Sequence, residues 1–95
     1  MIFCMKLFDW DPVKNMKLIQ ERGVSFEVLS YAIQTGGLLD VVRHPNVDQY
    51  QNQKLFIVLV DGYVYVVPFI ETDDKVFLKT AFASRKATKK YLGVE

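Results

Sequence analysis

The Asp61-Gly62 pair stands between two long apolar runs, and it constrains the fold more than any other feature of the sequence. Residues 54–60 and 63–70 are rich in β-branched and aromatic side chains, so each run predicts a strand. An Asp-Gly pair between such runs is typical of a two-residue type I′ turn. The sequence therefore predicts an antiparallel β-hairpin whose register is set by its turn.

This register divides the side chains of the hairpin between two faces, because directly opposed residues share a face. One face is aliphatic, and it carries Leu55, Ile57, Leu59, Val64 and Val66. The other is aromatic and half-polar, and it carries Lys54, Phe56, Val58, Tyr63 and Tyr65. We expect the aliphatic face to pack on helices and the aromatic face to stay uncovered by this chain. The aromatic face is then either a base-stacking platform or an interface with a partner or a second copy.

The segment before the hairpin predicts two helices joined by a short turn. Asp11 caps the first helix and Pro12 suits its first position, while Ser25 caps the second helix. Helices joined by two or three residues form an antiparallel α-hairpin. Their expected buried faces consist of Val13, Met16 and Ile19 in the first helix and Phe26, Leu29 and Ile33 in the second.

Shorter strands and a basic helix complete the predicted fold. Pro68 cannot donate to a ladder, so we expect a bulge or an unpaired stretch beside it. Ser84 caps a helix over residues 85–91. The further strands are predicted at residues 2–8, 38–43 and 76–82. The element order β-α-α-β-β-β-β-α predicts one α+β domain over residues 1–95, an antiparallel sheet with the α-hairpin on one face and a short C-terminal helix.

Composition restricts the class of protein. A chain of 95 residues that is 51% hydrophobic and 24% charged is typical of a single globular domain and argues against disorder. Cys4 is the one cysteine, which favours a reducing compartment. Lys6 interrupts the apolar start, and the longest apolar run, residues 55–60, is too short to span a bilayer. We therefore expect a cytoplasmic protein without a membrane segment.

Basic residues cluster at the C-terminal end. Residues 1–74 carry six bases and ten acids, a net charge of −4, whereas residues 75–95 carry six bases and one acid, a net charge of +5. Such clustering is typical of a site for phosphate or for an acidic partner, and equally of a solvated helix face. At helical spacing the basic residues form two pairs, Arg85 with Lys89 and Lys86 with Lys90.

His44 and Lys79 are two further candidates for chemistry. Histidine titrates near neutral pH, so His44 is the natural proton carrier, although a lone loop histidine is more often a plain surface residue. Lys79 is expected on the sheet face away from the core, as a cationic donor or as a solvated lysine. One histidine and one cysteine do not reach the ligand count of a zinc site. We expect no metal and no other cofactor.

Residues 8–14, 22–27 and 84–88 form three short motifs, and together they resemble those of a known family, the BrnT toxins. Residues 8–14 (FDWDPVK) and 22–27 (RGVSFE) are similar to the family's opening pattern, F-x-W-D-P-x-K followed by H-G-V-S-F-E. Residues 84–88 (SRKAT) are similar to its A-R-R-A-T segment. The resemblance implies a RelE-like fold, ribonuclease activity that arrests growth, and inhibition by a ribbon-helix-helix antitoxin encoded beside the toxin.

Several residues match these family motifs by position. Trp10 and Lys14 match the first motif, and Arg85 and Lys86 match the last. The family's arginine in the middle strands has no counterpart, because residues 44–84 contain no arginine.

The leading hypothesis is a toxin that cleaves mRNA without a metal ion. The ribose 2′-hydroxyl attacks the adjacent phosphate, Lys79, Arg85 and Lys86 supply positive charge, and His44 carries a proton. The residues expected to bind RNA are Trp10, Lys14, Tyr65, Lys89 and Lys90. The alternative is a non-catalytic protein that pairs with a small ribbon-helix-helix DNA-binding partner. RNA and a cognate antitoxin are the expected partners.

Overall fold

A computed structural model describes residues 7–43 and 53–93 of the chain. The predicted α+β class is confirmed in this part of the molecule. The elements are β1 (Leu7–Trp10), α1 (Pro12–Arg22), α2 (Phe26–Gln34), β2 (Leu38–Arg43), β3 (Gln53–Val60), β4 (Tyr63–Glu71), β5 (Lys75–Leu78), β6 (Phe82–Ala83) and α3 (Arg85–Leu92). None of these three helices combines the length and the apolar character needed to cross a membrane.

The strands form one sheet in the order β1-β5-β4-β3-β2, with β6 also paired to β4. β1 runs parallel to β5, and the other strand pairs are antiparallel, so the sheet is mixed rather than purely antiparallel. One edge of β4 pairs with β3, and its other edge is shared by β5 and β6. This arrangement puts the hairpin of β3 and β4 in contact with β2, β5 and β6, while β1 is separated from it by β5.

The central hairpin has the predicted turn and register. Asp61 and Gly62 both adopt positive φ, at 52° and 78°, as a type I′ turn requires. Val60 lies opposite Tyr63, and pairing continues without a shift along the hairpin. The short turn residues thus determine which side chains share a face.

The predicted caps also form. The Asp11 side chain accepts a hydrogen bond from the Val13 amide at 2.9 Å, and Pro12 begins α1. Gly23 ends α1 with φ of 69°, a left-handed conformation that glycine adopts at little cost. Ser25 caps α2 through the Val28 amide at 3.1 Å. The local sequence signals therefore locate both helices of the α-hairpin.

The faces of the sheet are covered the opposite way from the expectation. The centre of the aromatic face forms the main core, where Phe56 and Val58 are fully buried beneath α1 and α2 with Phe26, Leu29 and Ile33, while Lys54 and Tyr63 at its ends are exposed. The Phe56 and Phe69 rings stack there with centroids 3.7 Å apart. The aliphatic face packs instead on α3, through Ala87 and Tyr91. Aromatic rings bury the larger apolar area, so the two-helix layer covers them and the single short helix covers the aliphatic side chains.

The predicted buried face of α1 is also wrong. Val13, Met16 and Ile19 are 75%, 58% and 44% exposed. The buried residues of this helix are Asn15 and Leu18. The Asn15 side chain accepts from the Phe26 amide at 2.8 Å and donates to Glu27 at 2.7 Å, so a polar contact with the start of α2 sets the rotation of α1.

The last predicted strand, residues 76–82, is split in two. β5 ends at Leu78 and β6 begins at Phe82. The Lys79 amide donates to the Pro68 carbonyl at 2.8 Å, which shows that Pro68 turns its backbone toward this segment. Since proline has no N–H, Pro68 offers no donor in return, and the ladder between β4 and β5 ends at Phe69, whereas the ladder between β3 and β4 runs through Pro68 without a bulge. The unpaired stretch expected beside Pro68 is confirmed.

Candidate functional site

The structure gives folding roles to three of the five residues in segment 84–88. The Ser84 hydroxyl accepts from the Ala87 amide at 3.1 Å and caps α3. Ala87 is buried against the aliphatic face of the sheet. The Thr88 hydroxyl accepts from the Val64 amide at 3.1 Å and donates to the Ser84 carbonyl at 2.7 Å. These contacts attach the first turn of α3 to β4.

These contacts give hydrogen-bond partners to both the amide and the carbonyl of Val64, on the edge of β4 that pairs with β6. The Val64 carbonyl accepts from the Ser84 amide at 3.0 Å, and the Val64 amide donates to the Thr88 hydroxyl. Thr88 therefore occupies the place that a carbonyl of a neighbouring strand fills elsewhere in a sheet. The helix begins where β6 ends, without a loop between them, and its position relative to the sheet is set by these bonds.

Arg85 and Lys86, the other two residues of the segment, are exposed. Within residues 7–43 and 53–93, neither side chain has a hydrogen-bond or ion-pair partner. Lys89 and Lys90 are also exposed, and the Lys90 Nζ lies 5.4 Å from the centre of the Tyr91 ring. Both of these lysines lie in the last turn of α3, where positive charge is favourable beside the unpaired carbonyls. The four cations form the basic helix surface, defined here as Arg85, Lys86, Lys89 and Lys90.

The far end of α3 is held by a tyrosine and an aspartate. The Tyr91 hydroxyl donates to the Asp40 carboxylate in β2 at 2.8 Å. This hydrogen bond, followed by desolvation and the negative charge of Asp40, raises the pKa of Tyr91 above its ordinary 10.0. Tyr91 therefore stays protonated at neutral pH and serves as a donor that fixes α3 across the sheet.

Lys79 lies on the same face of the sheet as α3. Val76 and Leu78 of β5 are fully buried in the core beneath α1 and α2, so alternation directs Phe77, between them, to the opposite face. The Lys79 Nζ is 6.0 Å from the centre of the Phe77 ring, and the residue is half-buried. The structure thus puts Lys79 and the basic helix surface on one side of the molecule.

The other residues predicted to bind RNA lie on the opposite face, with the α-hairpin. The Trp10 ring stacks on Phe26 at 5.9 Å between centroids. Tyr65 is half-buried against the same core, and its ring meets that of Tyr63 edge-on at 6.2 Å. The Lys14 Nζ donates to the Lys79 carbonyl at 3.4 Å. Trp10 and Tyr65 therefore serve the core first, and the predicted RNA-binding residues do not form one surface.

Folding also accounts for the motif at the N-terminal end. Phe8 stacks on Phe56 at 6.3 Å, and Asp9 lies 3.9 Å from the Lys75 ammonium. Asp11, Gly23 and Ser25 are helix caps, as described above. The motif therefore specifies how the first strand and the α-hairpin fold together.

His44, the predicted proton carrier, lies outside the described residues, as does Cys4. No group of three or more metal-ligating side chains comes together within residues 7–43 and 53–93. Glu27 has a pKa lowered from 4.5, chiefly by the hydrogen bond from Asn15. The shifts of Glu27 and Tyr91 both lead away from neutral pH, so neither creates a proton carrier for neutral conditions.

Sequence reasoning missed a second group of cations on α1. Lys17 and Arg22 line a cleft together with Lys14, on the side of the sheet opposite to α3. The spacing of these three cations along one helix was a usable signal. Because the sequence assigned the wrong buried face to α1, it did not show that they line one cleft.

No protein-family model matches the chain, and no curated protein matches it. The similarity to BrnT toxins therefore depends on the short motifs at the two ends of the sequence.

Proposed function

We propose that the chain is the toxin of a toxin–antitoxin pair and that it cleaves mRNA in the cytoplasm without a metal ion. The observation that carries the proposal is that the residues of segment 84–88 fall into two groups, one that makes folding contacts and one that is exposed. Ser84, Ala87 and Thr88 are needed for folding, whereas Arg85 and Lys86 are exposed cations without a partner in the described part of the chain. Exposed cations held on a firmly attached helix suit contacts with RNA phosphate.

The chemistry requires positive charge and proton transfer. The ribose 2′-oxygen forms a bond to the adjacent phosphorus, the bond to the 5′-oxygen breaks, and a 2′,3′-cyclic phosphate and a 5′-hydroxyl result. A base removes the 2′-hydroxyl proton and an acid protonates the leaving oxygen. In this proposal Arg85, Lys86 and Lys79 stabilise the phosphorane, and each preorganised donor contributes about 2.7–4 kcal/mol. His44 is the proposed proton carrier.

A specific observation favours the non-catalytic alternative. The described residues supply cations on the α3 side of the sheet. The pKa of Tyr91 in α3 is raised and that of Glu27 in α2 is lowered, so both lie further from neutral pH than usual. A protein with this surface, if His44 outside the described residues carries no proton, binds an acidic or nucleic-acid partner without cleaving it. The second candidate is therefore a binding protein that pairs with a small ribbon-helix-helix DNA-binding protein.

Induced expression in a bacterial host separates the two proposals. We expect the wild-type chain to arrest growth and to shorten mRNA half-lives, and we expect a co-expressed cognate antitoxin to restore growth. The double variant Arg85→Ala/Lys86→Ala should accumulate as folded protein and permit growth. Normal growth while folded wild-type protein accumulates contradicts the ribonuclease proposal and leaves the binding protein.

A further inference from the structure

The outer edge of β4 is lined by two phenylalanines on the face of the sheet that α3 occupies. Phe77 of β5 lies opposite Ile70, and Phe82 of β6 lies opposite Val66. Val66 belongs to the apolar cluster beneath α3, and directly opposed residues share a face, so the Phe82 side chain points to the α3 side. Phe77 points the same way, since both of its neighbours in β5 are buried in the core on the other face.

Both aromatic rings are accessible beside the helix. Phe82 is 39% exposed, which is unusual for a phenylalanine, and Phe77 is half-buried. In the described part of the chain, the apolar side chains packed beneath α3 come from β2, β3 and β4, and Phe77 is not among them. The partners of the two phenylalanines are four residues apart on β4, so their own Cα atoms lie about 13 Å apart. The helix therefore covers part of this face and leaves an aromatic edge beside it.

Cations alternate with these rings along the chain. Lys79 comes two residues after Phe77, and its Nζ lies 6.0 Å from the centre of that ring. The Lys79 amide donates to the Pro68 carbonyl, which places the lysine between the two phenylalanines on the edge of β4. Arg85 comes three residues after Phe82, so their Cα atoms are at most about 11 Å apart. These four residues, Phe77, Lys79, Phe82 and Arg85, are defined here as the edge track, and it ends at the first turn of α3.

The edge track has a net positive charge. Within residues 7–43 and 53–93, neither Lys79 nor Arg85 forms an ion pair. One carboxylate lies nearby, because Asp9 is opposite Phe77 in the parallel pair of β1 and β5. The Asp9 carboxylate is 3.9 Å from the Lys75 ammonium, which offsets its charge. An anionic chain can therefore approach both rings along the track.

Alternating aromatic rings and cations match an unpaired nucleic-acid strand. The flat face of a base stacks on an aromatic ring, and the phosphates of the backbone pair with cations. In a duplex the bases stack on one another, so they are not free to reach the two rings. An acidic peptide would use the cations and would leave the rings without a stacking partner. The chemistry of the track therefore favours single-stranded nucleic acid.

We propose that the edge track binds single-stranded RNA and that Phe77 and Phe82 each stack one base. Lys79 contacts a phosphate between these bases, and Arg85 contacts the phosphate on the α3 side of Phe82. The inference rests on the proposed function for the identity of the ligand, and it names the residues that hold the strand beside the basic helix surface. Every base has a face that can stack, so the track holds an unpaired strand of any sequence.

The test measures binding separately from cleavage. The probe is a short fluorescent oligouridylate with 2′-O-methyl groups, which cannot be cleaved because its attacking hydroxyls are blocked. Its abasic analogue has the same phosphates without the bases. Fluorescence anisotropy with protein from cell-free synthesis should show that the strand with bases binds at least about tenfold more tightly than the abasic strand. It should also bind more tightly than the same strand paired with its complement.

Two results of this measurement overturn the proposal. Equal affinity for the abasic strand shows that charge alone determines binding, as on a surface for an acidic protein partner. Equal or tighter binding of the duplex shows that the bases do not reach the rings.

Variants identify the stacking contact. Phe82→Ala should weaken binding of the strand with bases at least about fivefold and leave the affinity for the abasic strand unchanged. Phe82→Tyr keeps a stacking face and should bind like the wild type. Tyr31→Ala removes a ring that is 70% exposed on α2 and serves as the control. Wild-type affinity in Phe82→Ala, or an equal loss in Tyr31→Ala, overturns the proposal, and the melting temperature of each variant verifies its fold.

The edge track and the ribonuclease activity can fail separately. If the wild type does not cleave unmodified RNA, but binding still depends on the bases and on Phe82, the ribonuclease proposal is wrong and the edge track is supported. If the wild type cleaves RNA and Phe82→Ala binds and cleaves at the wild-type level, the edge track is wrong and the ribonuclease proposal is supported.

Discussion

At the scale of single residues, one buried amide sets the arrangement of the α-hairpin. Asn15 is 8% exposed and bonds both to the Phe26 amide and to the Glu27 carboxylate. It satisfies a donor at the start of α2 that would otherwise be buried unpaired. Because this contact turns α1 toward α2, it exposes Val13 and Met16, which the apolar pattern alone assigns to the core.

Replacement of this asparagine tests its role directly. We expect Asn15→Ala to lower the free energy of unfolding by about 1–3 kcal/mol, because the buried Phe26 amide loses its acceptor. The exposed amide Gln20, on the same helix, is the matched control, and Gln20→Ala should change stability by less than about 0.5 kcal/mol. Urea unfolding curves measure both. Equal stability of the two variants contradicts the role given to Asn15.

The same contact predicts a dependence on pH. The pKa of Glu27 is lowered in the folded protein from its ordinary 4.5, first by the hydrogen bond from Asn15 and next by one to its own backbone amide. The stabilisation from this carboxylate is therefore present above pH 4.5 and is lost as the pH falls below it. Melting temperatures of the wild type and of Glu27→Gln should converge as the solution is acidified. A constant difference between them across that range contradicts the assignment.

At the scale of elements, α3 is held by its two ends. Thr88 and Ser84 bond its first turn to Val64 in β4, and Tyr91 bonds its last turn to Asp40 in β2. The helix is therefore attached to the sheet at both ends, and this attachment sets the backbone positions of Arg85 and Lys86. A firm scaffold is what an electrostatic site needs if its donors are to be positioned before the substrate arrives.

A prediction at this scale concerns Thr88. We expect Thr88→Val, which has the same shape without the hydroxyl, to destabilise the fold by about 1–3 kcal/mol because the buried Val64 amide loses its acceptor. Thr88→Ser keeps the hydroxyl and should restore most of the stability. Hydrogen exchange at the Val64 amide is the measurement, and it should be faster in the valine variant alone. Unchanged exchange in that variant assigns Thr88 to some role other than attachment of α3.

At the scale of the whole molecule, the sheet has a core on each face. The larger core is aromatic and lies under the α-hairpin, and the smaller core is aliphatic and lies under α3. The predicted RNA-binding residues are consequently divided, with Trp10 and Tyr65 on one side and the basic helix surface on the other. An uncovered aromatic platform for bases or for a partner, as the sequence led us to expect, is not present at Phe56 and Val58.

The burial of the aromatic face leads to a further prediction. Phe56→Ala should cost about 3–5 kcal/mol, a large part of the roughly 5–15 kcal/mol that stabilises a typical domain. Tyr31→Ala removes an aromatic ring that is 70% exposed, and it should change stability by less than about 0.5 kcal/mol. Urea midpoints of the two variants provide the comparison. Near-equal midpoints contradict the assignment of the aromatic face to the core.

The signals that predicted the fold correctly are local. Asp61-Gly62, Asp11, Ser25 and Ser84 act through their own backbone neighbours, so the turn and all three helix starts follow from sequence. The choice of which sheet face meets which helix depends on contacts between distant segments, and the pattern carries no direct information about it. The same holds for the site. The cations of α3 were predictable as a cluster because they lie on one helix, whereas the separation of Trp10 from them depends on how distant segments pack.

The central claim, that Arg85 and Lys86 act on RNA, is tested most directly by cleavage of an end-labelled RNA by purified protein in the presence of a metal chelator. The wild type should cleave, and Arg85→Ala/Lys86→Ala should be slower by at least about a hundredfold while it remains folded. Arg43→Ala/Lys54→Ala removes two exposed cations that face each other across β2 and β3, and it should cleave like the wild type. No cleavage by the wild type, or equal rates for the wild type and the Arg85/Lys86 variant, contradicts the claim.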